Sequence, residues 1–330
     1  MSPESSIPRG RLAPSPTGAL HLGNARSFLI AWLSIRSRGG TVVMRMEDLD
    51  HPKVKPGTAE QALDDLRWLG LDWDEGPDCE GPHEPYVQSQ RIDSYRDALC
   101  RLADARMVYP CTCSRSDVES AQSAPHLGED GLRYPGLCRD RYSSFAEANA
   151  ALPEDRIPAW RYRVADEHVR FVDGFCGPQD QHVHGAIGDF VIARHEDGAG
   201  YMLAVVVDDA AMGISEVLRG DDLLSTTHRQ ILLYRALELE APRFVHVPLV
   251  VSPDGRRLAK RHGDTRIAAL REHGISAGKI VGLLAHWCGW AEWGESLTPS
   301  ELLVRFDMTK LPPTPAILTD RVKAYLQIRD

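Results

Sequence analysis

A glycine- and proline-rich segment near the start of the chain places a histidine where it could contact phosphate. The segment is Pro14-Ser15-Pro16-Thr17-Gly18-Ala19-Leu20-His21-Leu22-Gly23-Asn24, and it joins a predicted strand to a predicted helix. The start of a helix presents free N–H groups that bind anions. Gly18 and Gly23 would let the backbone approach a nucleotide closely, and His21 could donate to phosphate oxygens. The His-x-Gly element alone would more often be an ordinary turn, but its position between strand and helix favours a nucleotide site.

A basic loop farther along the chain could serve the same nucleotide. It reads Arg257-Leu258-Ala259-Lys260-Arg261 and follows a predicted strand that ends at Val251. A mobile lysine such as Lys260 could neutralise a leaving pyrophosphate, because stabilising transition-state charge is the main task in phosphoryl chemistry. Most basic surface loops are merely solvated. This loop therefore indicates a nucleotide site only in combination with the His21 segment that precedes it in the chain.

Three cysteines are spaced as a candidate metal site. Cys111 and Cys113 form a Cys-x-Cys pair, Cys138 lies farther along, and Tyr134 and His126 lie between them. Soft thiolates select zinc, and four ligands complete a structural zinc site. The residues alone leave zinc and reduced, unliganded thiols both open. The other cysteines are predicted to be ordinary packing residues: Cys79, Cys100, Cys176 and Cys288.

His182 and His184 form a His-x-His pair that could also bind a metal ion. Two imidazoles are an incomplete ligand set, and no carboxylate or cysteine partner stands beside them in the sequence. We therefore predict no metal site at this pair.

Hydrophobic periodicity predicts the elements that would position these residues. Strands at 9–14 and 41–46, with a helix between them, form a βαβ unit whose strands should pair in parallel. The helix is indicated by apolar residues that share one face: Ala25, Phe28, Leu29, Trp32 and Leu33. The later elements are predicted to be helices at 58–69, 87–105 and 223–237, a hairpin of strands 189–194 and 201–207, a strand at 244–251 and a helical tail.

These elements divide the chain into four predicted parts. Residues 8–108 and 186–264 would be the two halves of one α/β catalytic domain. Residues 109–185, rich in cysteine, proline and small polar residues, would be an inserted module. Residues 265–330 would be a C-terminal helical module.

The composition narrows the class of protein. The 330 residues are 43% hydrophobic and 26% charged, without an apolar run long enough to cross a membrane. The N-terminus shows no apolar secretory signal, so we expect a cytoplasmic protein with reduced thiols. The net charge of −9 argues against binding nucleic acid by general charge attraction, although it leaves room for a local basic groove.

In combination and in order, these motifs resemble those of class I glutamyl-tRNA synthetases. That family has a His-x-Gly-His type segment, matched here by His21-Leu22-Gly23-Asn24, and a Lys-Met-Ser-Lys-Ser type loop, matched by residues 257–261. Three further runs look like the family: Arg11-Leu12-Ala13-Pro14-Ser15-Pro16-Thr17-Gly18, Arg45-Met46-Glu47-Asp48-Leu49-Asp50 and Val217-Leu218-Arg219-Gly220-Asp221-Asp222-Leu223-Leu224. The resemblance covers residues 9–265. It implies a Rossmann-type nucleotide-binding domain with an inserted zinc-containing module.

The chain is most similar to the short branch of that family, which keeps the catalytic domain and lacks the anticodon-binding region. This resemblance implies ATP-dependent activation of L-glutamate without tRNA, followed by transfer to the queuosine base in the anticodon of tRNA(Asp). The implied partners are ATP with Mg²⁺, L-glutamate and queuosine-containing tRNA(Asp). We expect a monomer with no membrane partner.

The resemblance and the charges of glutamate together imply residue roles. The side-chain carboxylate would be bound by guanidinium groups, and the α-ammonium by a carboxylate. The implied glutamate-binding residues are Arg11, Ser15, Glu47, Tyr201 and Arg219. The implied ATP-binding residues are Pro14, Thr17, Gly18, His21, Gly23 and Lys260. The implied catalytic residues are His21, Asn24 and Lys260, and the implied zinc ligands are Cys111, Cys113, Tyr134 and Cys138, with His126 as a rival fourth ligand.

The chain departs from the family pattern at three positions. Asn24 stands where the first motif ends in histidine, Arg257 begins the second motif, and Ala259 stands where serine is common. Lys260 is retained, so these differences put the rate in question more than the type of reaction.

Three alternatives remain open from the sequence. One is a truncated glutamyl-tRNA synthetase that charges a tRNA 3′ end. Another is a catalytically dead, zinc-stabilised module that binds RNA or a protein partner. A third is a small-molecule adenylyltransferase that shares only the His-x-Gly motif, although such a domain would not need Glu47 and Arg219.

Overall fold

A computed structural model describes residues 7–49, 54–121, 127–128, 131–194, 199–256, 258 and 264–328. Short 3-10 turns occur at Gln88–Gln90, Asp221–Leu223 and Met308–Lys310. The strands and helices, numbered in chain order, are β1 Arg9–Leu12, α1 Leu22–Arg36, β2 Thr41–Met44, α2 Thr58–Trp68, α3 Ile92–Asp104, β3 Val108–Cys111, α4 Arg115–Ser120, β4 Leu127–Gly128, β5 Gly131–Leu132, α5 Phe145–Ala150, β6 Ala159–Tyr162, β7 His168–Asp173, β8 Gly177–His182, α6 Val183–Ala186, β9 Phe190–Ala193, α7 Tyr201–Ala211, β10 Glu216–Gly220, α8 Leu224–Ala236, β11 Arg243–Val247, β12 Val250–Val251, α9 Ile267–Glu272, α10 Ala277–Trp287, α11 Pro299–Leu302, β13 Ala316–Ile317 and α12 Asp320–Tyr325.

A parallel sheet lies at the centre of the molecule, with strand order β11-β10-β1-β2. β1 and β2 pair in parallel from Arg9 opposite Thr41 to Leu12 opposite Met44, and α1 forms the crossover between them. The predicted βαβ unit is therefore confirmed. Three of the four residues of each strand are buried, because helices cover both faces of a parallel sheet and leave no face for polar residues.

Helix α1 forms where the apolar spacing predicted it, and it packs on the sheet. Its buried residues include Ala25, Leu29 and Leu33, which repeat at helical spacing and face β1 and β10. Helix α1 also contacts α10 and α11 of the tail. The tail contains helices α9, α10, α11 and α12, and it adds strand β13, which pairs with β12. The sheet, α1 and the tail thus share one hydrophobic core.

The predicted hairpin is half wrong. Its first strand is present as β9, and the chain then turns back so that Ala199 pairs antiparallel with Ala193. Residues 201–211, however, form helix α7 and not a second strand. Three consecutive valines at 205–207 favoured a strand, but α7 packs against α3, α8 and β9 and is buried on most sides. A helix that is apolar nearly all round loses the periodic signal that distinguishes it from a buried strand.

The segment predicted to be an inserted module has its own sheet. Strands β3, β6 and β9 form an antiparallel sheet, and β7 and β8 form a hairpin. β9 lies beyond the predicted boundary at residue 185, yet it pairs with β6 of the module. Among the helices of the described residues, none is long and apolar enough to cross a bilayer.

Candidate active site

The carboxyl ends of the central strands border a cavity of about 430 Å³. The strand order reverses at β1, which has β2 on one side and β10, followed by β11, on the other. Open α/β sheets bind ligands in the crevice outside the strand ends at such a point. Eight of the predicted site residues line this cavity: Arg11, Ser15, His21, Gly23, Asn24, Glu47, Tyr201 and Arg219.

Arg219, near the end of β10, is held by buried acceptors. Its Nε donates to Nε2 of His246 at 2.9 Å, and its Nη2 donates to Thr227 Oγ1 at 2.9 Å and to Gln230 Oε1 at 2.7 Å. Its Nη1 is buried without a hydrogen-bond partner in the protein. Burial lowers the pKa of Arg219, and the charge of Arg11 acts in the same direction. An anion in the cavity would meet an oriented donor that is otherwise unsatisfied.

His246 on β11 orients Arg219 from the side away from the cavity. Its Nδ1 lies 2.7 Å from Asp173 Oδ2, and its backbone N–H donates to Asp173 Oδ1. Because Nε2 accepts from Arg219, the proton of the neutral ring must lie on Nδ1. Burial lowers the pKa of His246, which keeps the ring neutral. Although burial opposes it, hydrogen bonds from His246 and from backbone N–H groups lower the pKa of Asp173.

Arg45, fully buried just after β2, binds three carboxylates. Its Nη2 lies 2.9 Å from Glu47 Oε1, its Nη1 lies 2.7 Å from Asp209 Oδ1, and its Nε lies 3.8 Å from Asp208 Oδ2. The Nε of Arg11 lies 3.6 Å from the same Asp209 oxygen. Burial raises the pKa of Glu47, and the charges of Arg45 and Arg11 oppose that rise. Arg45 thus holds Glu47 at the cavity and neutralises the aspartates of α7.

His21 caps helix α1 with its own ring. Its Nδ1 accepts the backbone N–H groups of Gly23 at 3.1 Å and Asn24 at 3.3 Å, and Leu22 N–H donates to Thr265 O. The expected free N–H groups at this helix start are therefore already bonded, because the histidine itself is the N-cap. Since Nδ1 is an acceptor, the proton of the neutral ring lies on Nε2, and burial lowers the pKa of His21. The donor offered to a ligand is thus the ring Nε2.

The remaining predicted ATP-binding residues are placed differently. Pro14, Thr17 and Gly18 do not line the cavity. Pro14 O accepts the backbone N–H of Glu47 at 3.0 Å, so it positions that carboxylate. A Cβ built on Gly18 would meet no atom within 4 Å, whereas one on Gly23 would approach the His21 ring to 3.0 Å. Of these two glycines, only Gly23 is therefore confined by a neighbouring side chain.

Lys260 lies outside the described residues, but the flanks of its loop border the cavity. Leu258 lines the cavity, and Arg266 forms an isolated bridge with His21. Ile267 N–H donates to Leu20 O at 2.9 Å, which returns the chain to the start of α1. The loop that carries Lys260 therefore begins and ends beside the predicted nucleotide segment.

The three cysteines of the inserted module meet in one buried cluster. Their sulfur atoms lie within 4.8 Å of one another, and Cys113 Sγ is 3.5 Å from Cys138 Sγ. The hydroxyl of Tyr134 lies 3.3 Å from Cys111 Sγ and 3.7 Å from Cys113 Sγ. A tetrahedral zinc ion with sulfurs at about 2.3 Å places its ligands about 3.8 Å apart. These donor atoms therefore fit zinc with little movement, whereas His126 lies outside the described residues.

The thiols of this cluster have divergent pKa values. Burial and the neighbouring Cys111 raise the pKa of Cys113 to about 12. Burial opposes ionisation of Cys138 too, but hydrogen bonds from Thr112, Cys113 and Tyr134 lower its pKa to about 7. Three packed thiols cannot all ionise without a cation between them, so the donor set has the chemistry of a divalent metal site.

The four other cysteines only partly match their predicted role as packing residues. All seven cysteines are free thiols. Cys288 is buried in the tail, and Cys79 is half-buried, as expected for packing. Cys100 and Cys176 are exposed, because they lie on the solvent side of α3 and at the turn of the β7–β8 hairpin. For these two the prediction is wrong.

Comparison with known proteins agrees with this geometry. A family model described as tRNA synthetases class I (E and Q), catalytic domain, matches residues 9–316. The chain belongs to the class I glutamyl-tRNA synthetase family. A glutamyl-Q tRNA(Asp) synthetase of Symbiobacterium thermophilum is 50% identical over 93% of this chain and 94% of its own. A glutamate–tRNA ligase of an Anaeromyxobacter species is 40% identical over 91% of this chain and 61% of its own.

A solved member of the synthetase family has the same fold. The crystal structure of a glutamate tRNA ligase from Elizabethkingia meningosepticum, described as in complex with its amino acid, superposes with a TM-score of 0.80. The match covers 97% of this chain and 69% of the ligase at 25% identity. The resemblance, the α/β class and the ligase type of enzyme are thereby confirmed.

Four residues that hold the cavity residues in place were not predicted from the sequence. Arg45, Asp209, His246 and Asp173 make the contacts that orient Glu47 and Arg219. Arg45 stood inside a family-like run, which was the only available signal for it. Arg45 and Asp209 are 164 positions apart and His246 and Asp173 are 73 apart, so no local pattern could reveal these two pairings.

Proposed function

We propose that this chain activates L-glutamate with ATP in the absence of tRNA and then transfers glutamate to the queuosine base of tRNA(Asp). The observation that carries the first step is the pair of arginines in the cavity. Arg219 Nη1 is buried without a hydrogen-bond partner, whereas Arg11 Nε faces Asp209 Oδ1 at 3.6 Å and Arg11 Nη1 donates to Leu218 O at 3.3 Å. An unsatisfied buried donor is costly, and a carboxylate ligand would satisfy Arg219 Nη1 beside the positive charge of Arg11.

The charges of the cavity complement glutamate. Two guanidinium groups and the carboxylate of Glu47 face a ligand with two carboxylates and one ammonium group. The side-chain carboxylate binds Arg11 and Arg219, and the α-ammonium binds Glu47. Tyr201, 38% exposed at the first turn of α7, supplies a hydroxyl at the cavity. Ser15 supplies a second hydroxyl.

The reaction needs positioning and charge neutralisation and no protein nucleophile. An oxygen of the glutamate α-carboxylate attacks the α-phosphorus of ATP, and the bond to pyrophosphate breaks. His21 Nε2–H and the amide of Asn24 donate to phosphate oxygens, and Lys260 neutralises the pyrophosphate. Mg²⁺ accompanies ATP as its counterion; we assign it no protein ligand.

The transfer step rests on the likeness to named relatives. The relatives matched over nearly their whole length are named glutamyl-Q tRNA(Asp) synthetases, at 50% and 46% identity. The ligases that charge tRNA match at lower identity and over less of their length. Queuosine in tRNA(Asp) is therefore the proposed acceptor, and a tRNA 3′ end is the alternative.

ATP–pyrophosphate exchange tests the first step. We expect exchange with glutamate and without tRNA, no exchange with aspartate or glutamine, and its loss in Lys260→Ala. Exchange that requires tRNA would favour the alternative acceptor, and no exchange under either condition would contradict the enzymatic proposal. Transfer of labelled glutamate to tRNA(Asp) with and without queuosine then identifies the acceptor.

Acidification should weaken both folding and glutamate binding through His246. The pKa of His246 lies below its value of about 6.5 in the unfolded chain, so the unfolded chain binds the proton first. The free energy of unfolding should therefore fall as the pH drops from about 6.5. A protonated Nε2 cannot accept from Arg219, so KM for glutamate should rise at the lower pH at which His246 of the folded protein binds its proton.

Urea unfolding and pyrophosphate exchange at about pH 7.5 and about pH 5.5 measure these two effects. His246→Asn can keep a donor for Asp173 through its amide, but it lacks the ring Nε2 that accepts from Arg219 and does not titrate, so it should reduce the pH dependence of both quantities. A variant as pH-dependent as the wild type would show that another group is responsible.

We further propose that Cys111, Cys113, Tyr134 and Cys138 bind a structural zinc ion. The phenol oxygen of Tyr134 already accepts the backbone N–H of Cys138 at 2.9 Å, and the guanidinium of Arg161 lies 3.6 Å from the ring centre. Both contacts favour negative charge on that oxygen, as a metal ligand requires. Zinc here would tie β3 to the segment around Cys138, away from the cavity.

Tyr134→Phe should weaken zinc binding by about tenfold or more, because it removes one ligand and keeps the three thiols. Competition with a chelator measures the affinity. The matched control is Tyr142→Phe, whose hydroxyl contacts Thr112 Oγ1 at 3.1 Å and should leave zinc binding unchanged. Zinc retained in Tyr134→Phe but lost in His126→Ala would identify His126 as the fourth ligand.

A further inference from the structure

Asp166, His182 and His184 meet at the open end of the β7–β8 hairpin. The Nε2 of His182 lies 2.6 Å from Asp166 Oδ1, and the Nδ1 of His184 lies 3.9 Å from the same oxygen. One ligand atom from each residue lies within 4.8 Å of the other two. The carboxylate that the sequence did not show beside the His-x-His pair is thus supplied by the loop that precedes β7.

The two imidazoles are held in place by their surroundings. The ring of His182 stacks on that of His168, with centroids 5.2 Å apart. A Cβ built on Gly185 would lie 2.5 Å from His182 Nδ1, so the backbone of α6 closes off that ring nitrogen and leaves Nε2 to face Asp166. The backbone oxygen of His184 accepts from Arg133 Nε at 3.1 Å, which anchors the second histidine. A preorganised pair of this kind loses little freedom on binding a metal.

We propose that these three residues bind a divalent transition metal ion such as Zn²⁺. Imidazole nitrogen and carboxylate oxygen bind Zn²⁺ at about 2.0–2.2 Å, which places ligand atoms about 3–3.6 Å apart. The observed spacings of 2.6 and 3.9 Å lie on either side of that range. Binding displaces the proton shared by His182 and Asp166. Asp166 is 80% exposed, so water completes the coordination.

The position of this site suggests what the metal does. Asp166 precedes β7 and His182 ends β8, so a bound ion joins the two ends of the hairpin. At the other end of β7, Asp173 binds His246 and thereby supports Arg219. A bound ion would therefore stabilise the β7–β8 hairpin, whose Asp173 supports the cavity. This site is separate from the cysteine cluster.

Metal content and thermal unfolding of the full chain test this inference, with Zn²⁺ alone as the probe. After equilibration with Zn²⁺ and gel filtration, the wild type should carry one more equivalent than His184→Gln or Asp166→Asn. Isothermal titration should show that each substitution weakens this binding by about tenfold or more. Zn²⁺ should raise the Tm of the wild type more than that of either variant.

Two controls separate this site from other metal binding. His273→Gln removes an exposed histidine of the tail and should bind Zn²⁺ as the wild type does. Cys113→Ser should lose the equivalent of the cysteine cluster and keep the second one, so the two sites fail independently. The inference is overturned if His184→Gln and Asp166→Asn keep the same number of equivalents as the wild type. It is equally overturned if the wild type binds no Zn²⁺ beyond the cysteine cluster.

Discussion

Arg219→Lys is expected to lower kcat/KM for glutamate in ATP–pyrophosphate exchange by about 100-fold, or about 3 kcal/mol, the range of hydrogen bonds to charged groups. Lysine keeps the charge but loses the planar fork. Its single ammonium cannot contact His246 Nε2 and Gln230 Oε1 while also reaching a carboxylate in the cavity. The loss should appear mainly in KM for glutamate, with KM for ATP unchanged.

The control for this substitution is Arg243→Lys on the neighbouring strand. Arg243 is 57% exposed, binds Glu216 at 3.2 Å and does not line the cavity. Its replacement should change kcat/KM by less than about twofold. If Arg219→Lys has the wild-type KM for glutamate, the side-chain carboxylate is bound elsewhere.

Arg45→Met should destabilise the protein by about 3–5 kcal/mol, because it leaves buried carboxylates without their counterion. Glu47 and Asp209 lose contacts of 2.9 and 2.7 Å, and the Asp209 side chain, 1% exposed, has little access to water to replace its lost contact. Methionine fills much of the same volume, so the expected loss comes from charge and not from a cavity. Urea unfolding measures the change.

The pH dependence and a surface control make this prediction specific. Arg45 opposes the rise in the pKa of Glu47 that burial causes. Without Arg45 that pKa rises further, so the destabilisation should be largest at high pH and smaller once Glu47 binds a proton. Arg115→Met removes an exposed ion pair with Glu119 and should change stability little. An Arg45 variant as stable as the Arg115 variant would contradict this account.

Several site residues could be predicted because their position depends on local structure. His21 follows a predicted strand and precedes a predicted helix, and Glu47 follows the next strand. Parallel strands of a βαβ unit end at one edge of the sheet, so both residues had to lie there. The prediction of free N–H groups at the start of α1 was nevertheless wrong, because the His21 side chain is the N-cap and accepts those N–H groups.

Other parts of the site could not be predicted from local patterns. Tyr201 was placed in a strand, since a buried helix and a buried strand have the same apolar run. His246 and Asp173 are 73 residues apart, and Arg45 and Asp209 are 164 apart. Their partners depend on how β11, α7 and the hairpin pack together. Asp166 likewise joins the His-x-His pair only because β7 and β8 fold back on each other.

The sequence by itself determined the class of fold, the family and which charged residues lie near the cavity. These depend on short-range spacing and on motifs that keep their order along the chain. Only the tertiary structure decided how those charges are oriented. The free donor of Arg219, the neutral tautomer of His246 and the ion network of Arg45 all arise from contacts between distant elements. Buried polar groups must find partners wherever packing places them, and that packing is a property of the whole fold.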